Sequence, residues 1–290
     1  VKPAAIRAGL LPLLLLVVAM CSFQLGAAIA KSLFPLAGAR GATVLRLSFA
    51  ALMLLAYYRP WRARLSGASW GLVARYGVVM ALMNLFFYMA LARLPLGITV
   101  AIEFTGPLSV ALWHSRRALD FLWVGLAVLG LGLLLPWRTG TAALDPLGVL
   151  LALGAALGWA LYIVWGREAG IAAGRYTVAL GSIIGALLVL PVGAAAALPV
   201  LEVPHLLGLA LALALLSSAV PYSLEMWALT RLPQRVFGVS MSLEPALAAL
   251  AGWVLLGEKL APLQYLAIAS IVVACVGAAL LARAGEAHPA

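Results

Sequence analysis

Charge is scarce in this chain. Only 10% of its 290 residues are Asp, Glu, Lys or Arg, while 66% are hydrophobic. A soluble domain carries about 25% charged residues, so the deficit excludes an ordinary water-soluble fold. Cysteine is nearly missing as well. Cys21 and Cys275 sit in apolar stretches near opposite ends of the chain, with no Cys-x-x-Cys or Cys/His spacing. That gives no ground for a disulfide or a metal site and reads both as small packing residues. His114, His205 and His288 make no metal-ligand spacing, and Asp120 and Asp145 stand alone. An intramembrane enzyme therefore finds little support, and no cofactor is implied.

What the chain does have is apolar runs long enough to cross ~30 Å of hydrocarbon. They read at 10–30, 42–58, 71–91, 96–114, 119–136, 146–166, 176–197, 206–228, 237–256 and 263–281. The expectation is an all-α membrane protein of ten transmembrane helices joined by short connections, with no soluble catalytic domain attached. The amino-terminal run, behind Lys2 and Arg7 and ahead of Ala28-Ile29-Ala30, has the outline of a secretory signal. It is longer than the ~7–15 apolar residues such signals use and is expected to stay as the first span.

The formal charge of +10 is explained by insertion rather than by nucleic acid. With the amino terminus in the cytoplasm, thirteen Lys and Arg fall on the inner side and five (Lys31, Arg40, Arg93, Arg138 and Lys259) on the outer, while Arg46 lies within a span. That imbalance follows the positive-inside rule with both termini cytoplasmic, and leaves no basic patch for a nucleic acid.

Two stretches spell nearly the same thing. Ala90-Leu91-Ala92-Arg93-Leu94-Pro95 and Ala228-Leu229-Thr230-Arg231-Leu232-Pro233 each precede, by twelve residues from proline to proline, Pro107 and Pro245. The chain thus reads as a doubled unit, 1–143 and 144–290. Five spans per copy force the second copy to begin on the opposite side of the bilayer, so the repeats are expected to be inverted, the arrangement of many alternating-access carriers.

Four ionisable residues lie within the spans away from the loop clusters: Arg46, Glu103, Glu225 and Glu244. An ionised side chain at mid-bilayer costs ~2.5–3.5 kcal/mol or more, so such groups face a bundle interior and mark ion or substrate paths. Glu103 and Glu244 are expected to face inward, beside Pro107 and Pro245, whose missing N–H groups free backbone carbonyls about a turn upstream. Glu225 has two readings, a salt bridge to a loop arginine or a place in the cavity. Arg46 either snorkels outward or pairs with a carboxylate. Lys31 either reaches the headgroups or turns toward a cavity. Gln24 either bonds a neighbouring helix or contacts a ligand. Trp159 and Tyr162 lie in the matching sixth span, and Asn84 and Tyr88, four apart, share one uncharged face suited to a small polar solute. A carboxylic acid in hydrocarbon can take a proton on one side of the membrane and release it on the other. Glu103, Glu244 or both would then carry the proton or hold a substrate ammonium.

The strings Ala30-Lys31-Ser32-Leu33-Phe34-Pro35, Glu103-Phe104-Thr105-Gly106-Pro107-Leu108, Ser115-Arg116-Arg117, Pro221-Tyr222-Ser223-Leu224-Glu225-Met226, Met241-Ser242-Leu243-Glu244-Pro245-Ala246 and Leu256-Gly257-Glu258 carry a resemblance over nearly the whole chain. It resembles the bacterial threonine/homoserine exporters of the drug/metabolite transporter superfamily. The resemblance implies an inner-membrane, proton-motive-force-dependent exporter of small amino acids, monomeric or homodimeric. It also implies a central cavity lined mainly by spans 1, 3, 4, 6, 8 and 9; Glu258 in Gly257-Glu258 matches a common motif of the superfamily, but its loop position favours a structural role at the helix junction. A zwitterionic solute needs a carboxylate for its ammonium and a cation for its carboxylate. Lys31 or Arg46 is the candidate cation, and Asn84, Tyr88 or Tyr222 the candidate partner for a solute hydroxyl. A broader drug or metabolite carrier of the same fold is the alternative.

Overall fold

The computed structural model describes residues 3–91, 93–94, 99, 102–115, 117–134, 145–247, 250 and 262–287. Outside them lie Lys2, Pro95, Arg116, Trp137, Arg138, the repeat boundary at 143/144, Glu258, Lys259 and His288, together with the side chains of Arg7, Lys31 and Arg283. The described residues form helices and turns with no strand among them. Four helical stretches are long and apolar enough to cross a membrane (Ser32–Tyr58, Gly67–Ala90, Pro146–Leu201 and Pro204–Leu229), and shorter apolar helices cover Leu11–Gly26, Ala118–Leu133 and Tyr265–Ala278.

The first helical element, α1, runs Pro3–Tyr58 and absorbs the two spans expected at 10–30 and 42–58. Lys31 and Pro35 do not end the first one; Pro35 is carried inside the helix. The break comes at Gly38, φ 59° and ψ −179°, a conformation open to glycine alone. An unbroken helix would hold Gln24 and Arg46 ~33 Å apart. Both line one cavity, so the chain doubles back at Gly38.

α2 (Gly67–Leu91) is followed by α3 (Thr105–Trp113), α4 (Ala118–Leu134) and α5 (Pro146–Ala173). α5 starts on an Asp145 cap that accepts from the Leu147 N–H, and ends at Gly174, φ 56°, where a short 3₁₀ turn leads into α6 (Thr177–Leu201). α7 (Pro204–Ala214) passes through a π turn at Leu215–Ala219 into α8 (Val220–Leu229); α9 (Gln234–Met241) and α10 (Pro262–Ala287) follow.

In lipid there is no water to expel between helices, so close packing of small residues carries the association. α1 lies against α6, α7 and α8, α2 against α5 and α6, α3 against α9, and α4 against α10. The Gly154-x-x-x-Gly158 and Gly181-x-x-x-Gly185 pairs do this on α5 and α6: Gly158 receives Met83, Gly181 the Tyr76 ring and Gly185 the Met80 methyl. The tightest of the α3–α5 approaches is at Gly106, where any Cβ would overlap the Ala156 carbonyl oxygen. Overpacking of this kind costs ~1–3 kcal/mol. Gly106→Ala is therefore expected to lower the melting temperature of the detergent-purified protein, whereas Gly125→Ala, which meets open space, leaves it no lower.

Three other expectations need correcting. Cys21 is exposed on the outer face of α1 rather than packed; Cys275 is buried, its thiol donating to the Val239 carbonyl at 3.3 Å. Asp145 does not stand alone: Arg93 donates to it at 3.0 Å, and that bond holds its carboxyl below the ordinary range. Asp120 likewise has Arg235 at 3.7 Å. Sequence spacing could not reveal either pair because the partners lie 52 and 115 residues apart, in different elements and turns.

Candidate functional site

Three prolines shape the centre of the bundle. Pro107 cannot bond the Glu103 carbonyl, and the helix turns at Phe104 (φ −63°, ψ −14°) before α3 begins. Pro245 cannot bond the Met241 carbonyl, and α9 ends in a turn at Ser242 (φ −63°, ψ −13°). The two breaks, each beside a glutamate, thus share one backbone geometry. Pro221 cannot bond the Ser217 carbonyl, and the chain there takes its π turn. The loosened carbonyls find side-chain donors: Arg46 Nη1 donates to Ser217 O at 3.4 Å, and Ser22 Oγ to Leu216 O at 2.6 Å. α1 can come that close because residue 26 is glycine, whose Cβ would stand 2.5 Å from the Ser217 Cβ.

Around these breaks lies a cavity of about 310 Å³, at the small end of the ~300–1,000 Å³ typical of ligand sites. Glu103, Glu225, Glu244, Arg46, Gln24, Asn84, Tyr88, Trp159, Tyr162 and Tyr222 all line it. Of the candidates from the sequence only the Lys31 side chain falls outside the described residues. α1 supplies Gln24 and Arg46, α2 supplies Asn84 and Tyr88, and α5 supplies Trp159 and Tyr162; Tyr222 and Glu225 come from α8.

Arg46 is only 6% exposed, so it does not snorkel. Nor, among the described residues, does it form an ion pair with a carboxylate. Its guanidinium donates to Asn84 Oδ1 and to the Ser217 carbonyl and lies 5.6 Å from the Tyr88 ring centre. Asn84 Nδ2 in turn donates to the Met80 carbonyl at 2.7 Å and stands 3.0 Å from the Tyr222 hydroxyl. The face carrying Asn84 and Tyr88 is therefore charged, contrary to expectation, because α1 brings a cation to it. Arg46 Nε is buried with no hydrogen-bond partner.

Glu225, 2% exposed, accepts from the Tyr162 hydroxyl at 3.1 Å. Among the described residues no loop arginine forms a salt bridge with it: Arg231 lies 3.8 Å over the Trp227 ring and donates to its carbonyl. Tyr162 is backed by the fully buried Tyr76, ring centres 5.3 Å apart. Phe104 meets Trp159 edge-on at 4.9 Å and Phe23 meets Tyr222 at 5.8 Å, which closes the walls. Glu244 is only partly buried.

Ser217, Ser22 and Gly26 were not legible as site residues, although Pro221 four positions on marks the Ser217 carbonyl as one in need of a donor. Phe34, Phe87, Met83 and Leu213 also line the cavity. They are apolar residues in apolar helices, and nothing in the sequence separates them from packing residues. Met80 is plain core, while Met83 reaches the cavity and Met89 a second one.

Apolar helices broken by proline around a partly charged cavity define a multi-pass membrane transporter. The EamA-like transporter family matches residues 146–280. The threonine/homoserine exporter RhtA of Escherichia coli (strain K12) is 52% identical over 273 residues, covering 94% of this chain and 92% of that protein. RhtA of Salmonella typhimurium (strain LT2) is 51% identical over the same length, with the same coverage. A solved crystal structure superposes with a TM-score of 0.74 at 20% identity, covering 99% of this chain and all of that one; at that identity the likeness bears on the fold alone. The chain belongs to the RhtA family of threonine/homoserine exporters. These relatives are transporters, not enzymes.

Proposed function

We propose that this protein exports small amino acids of the threonine/homoserine type across the bacterial inner membrane, in exchange for protons and by alternating access. The observation that carries the reading is the charge inventory of the central cavity. Among the described residues, three carboxyl groups, Glu103, Glu225 and Glu244, share it with one guanidinium. Such a site cannot hold every group ionised in a low-dielectric interior without further cations, so protons or a substrate ammonium must supply the balance. Arg46 offers its remaining N–H to a carboxylate, and Asn84 and Tyr222 stand beside it for a hydroxyl. A zwitterion spanning Arg46 and the glutamates satisfies both ends of the site.

The architecture we infer is ten spans in two inverted repeats, 1–143 and 144–290, with both termini cytoplasmic. Supporting it, an in-plane two-fold axis would pair the second span with the seventh, the fourth with the ninth and the fifth with the tenth. The observed neighbours fit: the later part of α1 packs on α6, α3 on α9, and α4 on α10. The matched backbone angles at Phe104 and Ser242 fit as well.

A broader carrier of drugs or metabolites has one observation in its favour, the rings of Phe23, Phe34, Phe87, Phe104 and Trp159 in the cavity wall. Counterflow in proteoliposomes decides. Labelled threonine is expected to exchange with unlabelled threonine and homoserine, to accumulate when a pH gradient is imposed, and to ignore lipophilic cations. Competition by those cations at concentrations near the threonine half-saturation would instead support the broader carrier.

A further inference from the structure

A second cavity, of about 560 Å³, lies beyond Tyr88, whose ring forms a wall of both. It opens among the Gly38 break of α1, the end of α2 and the later part of α6. Arg40 and Arg93 line it, with Thr43 between apolar walls that include Leu85, Val189 and Val192. We propose that this cavity is the exit vestibule, and that Arg40 and Arg93 form a transient binding station for the carboxylate of an amino acid leaving the central site. The inference rests on the transport reading and orientation given above.

Three observations carry it. The first is charge placement. Insertion disfavours cations on the outer side, yet of the five expected there, two converge on one cavity, Arg40 just past the Gly38 break of α1 and Arg93 in the turn after α2. Topology does not require them, so another use does. Secondly, the station is only half spent. Asp145 engages one nitrogen of Arg93, whereas among the described residues no carboxylate lies within ion-pair range of Arg40. The helical segment restarting after Gly38 adds the positive end of its dipole to the same wall.

The third is the partition. Tyr88 meets Phe34 edge-on, ring centres 6.4 Å apart, and Phe34 lines the central cavity four residues ahead of the Gly38 break. One aromatic pair thus separates the two compartments, and one of its members rides on the segment that the glycine joint can swing. Arg46 faces Tyr88 from the central side and Arg40 and Arg93 lie on the other. A carboxylate passing Tyr88 moves from one cation to the next, and the outer station, solvent-exposed, holds it weakly enough to release it.

The test has two arms in proteoliposomes of the full chain, both read with L-threonine. In the first, Arg40→Gln is assayed for exchange from each side. Losing one exposed charge-assisted contact should raise the outer-side half-saturation about two- to fivefold relative to the inner-side value. An equal shift on both sides, or none, overturns the station. In the second, Ala39→Cys in a Cys21→Ala, Cys275→Ala background is treated with a membrane-impermeant thiol reagent. Labelling from the outer side, slowed by threonine, is expected. Labelling from the inner side only overturns the vestibule. Protection that follows phosphatidylglycerol content rather than threonine assigns the arginines to lipid headgroups and overturns it too. If the unmutated protein exchanges no amino acid, the transport reading fails, and the labelling arm still shows whether the cavity faces outward and binds threonine.

Discussion

Replacing Arg46 with glutamine is expected to lower threonine exchange by about 100-fold or more. Arg46 is the junction of the site: it joins Asn84 on α2 to the Ser217 carbonyl at the π turn and is the one cation among the described cavity-lining residues. Hydrogen bonds to a charged group are worth ~1.5–3 kcal/mol each, so losing the contact to a substrate carboxylate together with the ordering of Asn84 accounts for that factor. Lysine should restore little. An ammonium is a point charge and cannot span Asn84 and the Ser217 carbonyl at once as the planar guanidinium does. Labelled-threonine counterflow measures the effect, with a monodisperse gel-filtration profile and helical circular dichroism as the check on folding. A glutamine variant that folds and keeps half its exchange rate would remove Arg46 from substrate binding.

Much of the site could be read from the sequence because burying charge in hydrocarbon is costly whatever the tertiary detail. Arg46, Glu103, Glu225 and Glu244 announced themselves by position alone, and Pro107 and Pro245 announced the breaks beside two of them. Direction was harder. Whether Arg46 points to the headgroups or inward depends on what α1 meets across 171 residues of sequence, at Ser217, and on a glycine at 26 that lets it meet anything. The same holds for Glu225, whose donor Tyr162 stands on another helix. The break in α1 falls within the 31–41 gap expected between the first two spans, but the residue that makes it was not legible: proline and lysine look like helix ends, while Gly38, which takes the conformation closed to other residues, looks like any other small residue in a small-residue segment. Exposure of Cys21 was missed for a related reason: in a membrane protein an apolar environment does not mean a protein environment.

Glu244→Gln is expected to abolish pH-driven accumulation while exchange of threonine for threonine continues. The three carboxyls are not equivalent. Glu225 is tied to Tyr162, and Glu103 is buried beside the turn at Phe104. Glu244 alone of the three is partly exposed, next to the break at Ser242 and Pro245, so it is the one best placed to trade a proton with water as the cavity opens to either side. Its protonation would discharge the site and release an ammonium held there; its ionisation would recharge the site for the next substrate. A gradient of one pH unit is worth ~1.4 kcal/mol per proton, hence about tenfold accumulation on the acidic side for each proton exchanged. In the glutamine variant that ratio should fall to about one, because an amide neither binds nor releases the proton. Counterflow, which needs no net proton movement, should persist with a weaker dependence on pH. If Glu244→Gln retains tenfold accumulation, the coupling proton belongs to Glu103 or Glu225, and the corresponding glutamine variants should show the loss instead.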